Sequence, residues 1–350
     1  MTETPVNLQP RPIERIRTLM ASRLGGVILL LMVFAIILIA TLVKGVPTQQ
    51  LVSLTVRGLM LGGIIALGAI GLTLISGVLK MANFAHGDFM SLGAYMALLA
   101  IALLPTGQPM GPFSFGPEFL AALLFAMLVV GFIAWLFDRF IYRRLRARRT
   151  MSVVIAMASL GVALLVRSLI YISWGGDFSF FYTGRARPAT AELFMGIRVR
   201  PDQLFILGLA VVFIIMIWFV LERTRLGKAM RATADNPDLA RISGINTDRV
   251  VMWTWFIGGA LAGASGVMYG LDAQLRPEMG WFLLLPLFAS VILGTLGNPY
   301  GALVGALVIG VAWQVSSAFL NPAYGPAVAF VVMIIVLLFR PQGLFGKAGS

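Results

Sequence analysis

The chain has 350 residues, 59% of them hydrophobic and 12% charged, and its 27 Lys and Arg against 14 Asp and Glu leave a net charge of +13. The charged fraction is about half the roughly 25% of soluble domains. This excludes a soluble enzyme and, because the basic residues fall between apolar runs where they meet anionic lipid, a nucleic-acid module as well. With no Cys and one His, disulfide frameworks and Cys/His metal centres are also excluded.

Apolar runs of about 20 residues match a hydrocarbon layer of about 30 Å, and only helices close their own hydrogen bonds over such runs. The alternating segments of about 10 residues that a β-barrel needs are not seen. The predicted fold class is therefore all-α, a polytopic transmembrane helix bundle. The first run, Leu24 to Val43, follows Arg11, Arg15, Arg17 and Arg23. It exceeds the roughly 7 to 15 residues of a signal h-region, and "TLVKG" offers no cleavage site, so a retained helix is expected. Further spans are predicted at 51 to 70, 88 to 104, 118 to 137, 151 to 173, 202 to 221, 250 to 271, 282 to 296, 300 to 319 and 326 to 339. That makes ten; nine spans or a re-entrant pair is the alternative, because the eighth and ninth meet at "GTLGNPYG". Residues 1–50 form an extra N-terminal segment, 51–346 the main domain and 347–350 a tail.

Most Lys and Arg collect on one side of these spans, in the N-terminal segment, at Lys80, in "DRFIYRRLRARR", in residues 222–249 and in the tail. That side is cytoplasmic, and both termini lie on it. Small residues recur at four-residue spacing, as in Gly58, Gly62 and Ala66, in Gly259 and Gly263, and in Gly301 and Gly305. Such faces let helices approach closely, whether for simple packing or for sliding during transport.

Between the second and third spans, "GVLKMANFAHGDFMSLGAY" breaks the apolar run with Lys80, Asn83, His86 and Asp88. The break sits at the cytoplasmic end or dips back into the bundle. Asn83 can cap the following helix, and His86 and Asp88 are candidates for a translocation path or gate, since ionisable groups at membrane depth face a protein interior or an aqueous cavity. The alternative is structural, with Asp88 and Asn83 satisfying helix-end amides and His86 bonding locally. Arg57 and Arg167 lie within spans, where snorkelling is expected, with substrate contact as the alternative.

The outer segment from Trp174 to Pro201 carries Arg185, Arg187, Arg198 and Arg200. It is a candidate docking surface for an acidic partner or a solvated cover. In "TADNPDLARISGIN", Asn236 is a good N-cap, Pro237 suits the first helical position and Asp238 complements the helix start. Gly244 can end this short helix in a left-handed conformation, leaving Leu239, Ala240 and Ile242 as an apolar patch beside Arg241. A helix of about 10 Å is marginal alone in water, so it lies on lipid or docks onto a partner. Thr247 or Asp248 is expected to cap the next membrane helix.

No G-x-x-x-x-G-K-[ST] loop occurs, so the chain has no ATP site of that type, and His86 stands in no Ser/His/Asp set. "GLTLISGVLKMANFAHGDFMSLGAY", "RLGKAMRATADNPDLARISGINTDRVVMWTWFIGGALAGASGVMYG" and "RPQGLFG" resemble the motifs of the branched-chain amino acid ABC transporter permease family, which is related to urea and amide permeases. The resemblance runs from about Leu51 to Gly346. It implies a transport subunit of the bacterial inner membrane with no catalytic or metal site and no cofactor of its own. The implied partners are a second homologous permease, two cytoplasmic subunits that bind ATP and Mg, and a periplasmic substrate-binding protein. Asp235 to Gly244 would then be the coupling segment, with Asp235, Asn236, Pro237 and Gly244 shaping the docking helix, Leu239 and Ile242 as its apolar contacts and Arg231 or Arg241 as polar ones. A self-sufficient secondary transporter or channel is the competing reading and should carry buried coupling groups near the midplane.

Overall fold

The computed structural model describes residues 45–105, 107–182, 191–193 and 197–346. The expected first helix at 24 to 43, Arg185, Arg187 and the 347–350 tail lie outside them. The helices are α1 Thr48–Leu79, α2 His86–Leu103, α3 Glu118–Phe137, α4 Arg143–Ala147, α5 Ser152–Trp174, α6 Pro201–Arg223, α7 Arg225–Asp235 and α8 Pro237–Ile242. They continue with α9 Thr247–Asp272, α10 Met279–Gly294, α11 Pro299–Ser316 and α12 Gly325–Phe339. A two-stranded antiparallel hairpin, β1 Ala191–Leu193 with β2 Ile197–Val199, is the only sheet among the described residues. It falls in the outer segment and was not expected.

Eight helices among the described residues are long and apolar enough to cross a membrane, and Met279–Gly294 is a shorter apolar one. Each predicted span from 51 onward has a helical counterpart. Contacts at the helix ends divide the bundle into two rims. At the basic rim, Arg143 pairs with Asp248 at 2.6 Å, the Tyr300 hydroxyl donates to Glu222 at 2.6 Å, and the Thr295 hydroxyl donates to the Gln342 carbonyl at 2.9 Å. At the opposite rim, Ser114 donates to Asp202 at 2.6 Å, Arg200 pairs with Asp272 at 2.6 Å, and Ser179 bridges Leu275. Successive membrane helices therefore run in alternate directions.

Helix α1 lies at the centre, with nearly every residue from Met60 to Gly77 buried. Its 32 residues span about 48 Å, more than the hydrocarbon layer. Close approach is achieved through the small-residue faces: a methyl on Gly58 or Gly62 would overlap the α11 backbone at Val311 or Leu307, and one on Gly266 would overlap the Met90 backbone of α2. Helix α3 does not stop at 137. It continues through a π-helical turn, Asp138–Tyr142, into α4, so the expected basic loop is largely the tip of a rod. At this turn the Tyr142 ring stacks on Trp255 at 4.9 Å, and Asp138, buried, pairs with Arg146 at 2.7 Å.

Helices α5 and α6 lie at the periphery and expose Met157, Leu164 and Leu169, and Val212, Ile215 and Phe219. These apolar faces suit lipid.

Candidate functional site

Two polar regions stand out against this greasy frame. The first is on the basic rim. Helix α7 is amphipathic: Gly227, Met230 and Thr233, spaced by three, face inward, while Lys228 and Arg231 point out. Its N-cap, Thr224, accepts from the Gly227 N–H at 3.2 Å. Sequence reasoning missed this helix, although its spacing of small and apolar residues is visible in "RLGKAMRATAD". Arg231 is held to Glu222 at 2.9 Å, which fixes α7 to the end of α6. A cavity of about 230 Å³ opens between α7 and α1, lined by Thr73, Gly77, Met230, Glu222, Arg231 and Tyr300.

The chain then turns at Asp235 into α8. Asn236 Oδ1 accepts from the Asp238 and Leu239 N–H groups at 3.0 Å each, with Pro237 at the first helical position. At the other end Ile245 N–H bonds the Ala240 carbonyl and Gly244 N–H the Arg241 carbonyl, both at 3.0 Å. Gly244 has φ +86°, which only glycine adopts without strain. This pair of bonds is the Schellman arrangement. The short helix is thus closed at both ends while its outward side chains are free: Leu239 is 57% and Ile242 81% exposed, and only Ala240 is buried. Arg241 touches Asp238 and Thr247 loosely, at 4.0 and 3.4 Å, and stays available. The cap of α9 is Asn246, whose side chain accepts from the Arg249 N–H at 2.9 Å, one residue before the expected Thr247 or Asp248. Asp248 points instead to Arg143.

The second region is inside the membrane. After α1 ends at Lys80, in a left-handed conformation with φ 53°, the chain turns back into the bundle. By His86 it has returned to the level of Gly68 and Gly71, about 12 Å above the end of α1. The polar break therefore dips inward. Asn83 does not cap α2: its Oδ1 accepts from the Ala85 N–H at 3.2 Å, in the turn before the helix, and the N-cap position itself is Ala85, which has no side-chain cap to offer. His86 is fully buried and its Nε2 donates to the Gly68 carbonyl at 2.8 Å.

Asp88 points the other way and receives both arms of Arg167, Nε at 2.8 Å and Nη2 at 3.0 Å. Arg167 does not snorkel. Its guanidinium is fixed by a buried carboxylate and covered by the Trp281 ring at 4.8 Å. His86 and Asp88, two positions apart, thus serve different neighbours, α1 and α5. Beside them α2 and α10 meet at Gly87 and Gly280, where a methyl on either would overlap the other's carbonyl. The Gly280 N–H donates to Ser91 Oγ at 2.9 Å. Trp281 and Ser91 are candidates that sequence reasoning missed, and for Arg167 it offered substrate contact only as the second reading. Their long separation, 79 residues from Asp88 to Arg167, leaves no local signal.

A bundle of membrane-crossing helices, an ordered capped excursion at its basic rim and charged groups held in its interior define a multi-pass membrane protein of the transport type. A family profile described as the permease component of the branched-chain amino acid transport system matches residues 54–337. The chain belongs to this family of permease components. It is 30% identical over 295 residues to the high-affinity branched-chain amino acid transport permease LivH of Salmonella typhimurium, covering 83% of this chain and 94% of that one. It is 31% identical over 313 residues to BraD, the corresponding permease of Pseudomonas aeruginosa, with 85% and 95% covered. The galactofuranose transporter permease YtfT of Escherichia coli is 27% identical over 289 residues, covering 79% and 76%.

Proposed function

We propose that the chain is the membrane-spanning subunit of an ATP-driven importer that moves a branched-chain amino acid, or a related small polar solute, into the cytoplasm. It sits in the bacterial inner membrane with ten crossings and both termini inside, the basic rim facing the cytoplasm. A second permease subunit completes the membrane unit. Two cytoplasmic subunits bind ATP and Mg, and a periplasmic binding protein delivers the solute.

The observation that carries this reading is α8, a helix closed at both ends that presents Leu239 and Ile242 to water. Fully burying such side chains is worth about 1.5–3 kcal/mol each, which gives a partner a grip. Closure of the ATP-binding subunits on nucleotide moves this handle, and the membrane helices follow to the state that the closed subunits bind better. Helix α7, anchored through Arg231 to Glu222, passes the motion into α6 and α11.

The test is purification in mild detergent followed by reconstitution. The expected outcome is copurification of a second permease and ATPase subunits, with leucine uptake that needs ATP. Leu239→Asp with Arg241→Glu should leave the bundle folded and the ATPase active while abolishing uptake. Uptake by this chain alone on an ion gradient would instead establish a secondary transporter.

A further inference from the structure

The Asp88–Arg167 pair is larger than a helix-to-helix tie needs to be. An Arg–carboxylate pair taken out of water adds little stability over apolar side chains of similar size, and charges at membrane depth mark functional sites. Arg167 lies about 10 Å short of the outer end of α5 at Trp174. Its pair stands at the junction where α2 and α10 both begin, and discontinuous helices of this kind build solute sites in transporters. The surroundings are unbalanced. Glu278 has no cationic partner among the described residues and takes only the Tyr171 hydroxyl, at 2.7 Å. The buried Tyr95 hydroxyl has no hydrogen-bond partner among the described residues, and the Tyr95 ring lies against Trp174 at 5.3 Å. Tyr171 and Trp281 are 42% and 37% exposed, so the cluster opens to the outside of this subunit.

We propose that Asp88, Arg167 and Glu278 form a recognition site for the zwitterionic head of an α-amino acid, which exchanges with the internal ion pair. The incoming carboxylate takes the two guanidinium arms that now hold Asp88, a two-point contact for which Arg is suited. The ammonium group takes the released Asp88 oxygens and Glu278. Trp281, already stacked on Arg167, and the neighbouring aromatic rings offer apolar walls to the side chain. When the solute leaves, Asp88 and Arg167 close on each other again, so neither is left without its partner. The site deepens the importer reading above and rests on it.

The experiment uses the assembled transporter in nanodiscs without its binding protein, titrated with leucine, 4-methylpentanoate (no ammonium) and 3-methylbutylamine (no carboxylate), and read by tryptophan fluorescence. Leucine should perturb the wild type, and Trp281→Phe should remove most of that change. Asp88→Asn should weaken leucine by about 10- to 100-fold and shift preference toward 4-methylpentanoate. Arg167→Gln should weaken it similarly and shift preference toward the amine. Thermal unfolding of the same samples reports the structural part of the loss. Variants that melt earlier but keep the wild-type preference overturn the site, as does a wild type indifferent to leucine. ATP-driven leucine uptake by the complete system is measured in parallel. Uptake present with preference unmoved removes only the site, whereas uptake absent removes the importer reading and the site with it.

Discussion

Replacing Asn236 with Ala tests the handle at its weakest point. The side chain satisfies two of the four N–H groups that a helix start leaves open. Both are exposed, so water replaces the lost bonds and no buried donor is stranded. The cost is that of a lost cap, about 1 kcal/mol. In a six-residue helix held otherwise by its Schellman end, this raises the open population about fivefold. Hydrogen exchange at the Ala240 to Ile245 amides should accelerate by that factor, with amides of α1 and α9 unchanged. ATP-dependent uptake should fall only with the fraction of closed helix that is lost, because a partner that grips the closed form alone is limited by that population. Asn236→Asp, an equally good cap, should restore both. Undiminished uptake in a variant whose exchange shows the helix predominantly open would refute the handle. Lost uptake with unchanged exchange would mean that Asn236 acts by touching the partner and not by holding the helix.

Gly266→Leu should disrupt the α2–α9 contact, since even a methyl there meets the Met90 backbone; overpacking of this kind costs about 1–3 kcal/mol, visible as a lowered unfolding temperature or lost expression. His86→Ala removes the 2.8 Å bond to Gly68 and should lower stability while leaving the shape of the uptake profile between about pH 5 and 8 unchanged; an altered profile would give His86 a proton-transfer role. Arg143→Ala breaks an exposed pair with Asp248, 44% and 67% exposed, and should change stability by less than about 1 kcal/mol, measured in the same unfolding assay.

Much of the frame was legible because it is governed by local rules. Apolar length marks membrane helices, Asn-Pro-Asp announces a helix start, and a glycine seven residues after Pro237 announces its stop. The small-residue faces likewise announced where helices touch. What was not legible depends on distant partners. Asn83 looks like a cap but turns before the helix starts, because the incoming chain is held by Ser159, whose hydroxyl receives the Phe84 N–H at 2.9 Å. Arg167 looks like a snorkelling side chain until Asp88 of another helix is placed beside it. The π turn at Asp138–Tyr142 has no sequence mark that separates it from a basic loop, and is supported by Trp255 from α9.

The rod made by α3, the π turn and α4 crosses α9 where Gly131 and Ala134 meet Phe256 and Gly259. From that crossing about 24 Å of rod extend to Glu118 and about 20 Å to Ala147. The rod is also held to α9 on either side of that point, by Ala126 and Val130 against Gly263, Tyr142 against Trp255 and Arg143 against Asp248, so the two helices move as one body. A tilt imposed on one of them at the basic rim would be shared by the other across the thickness of the bundle.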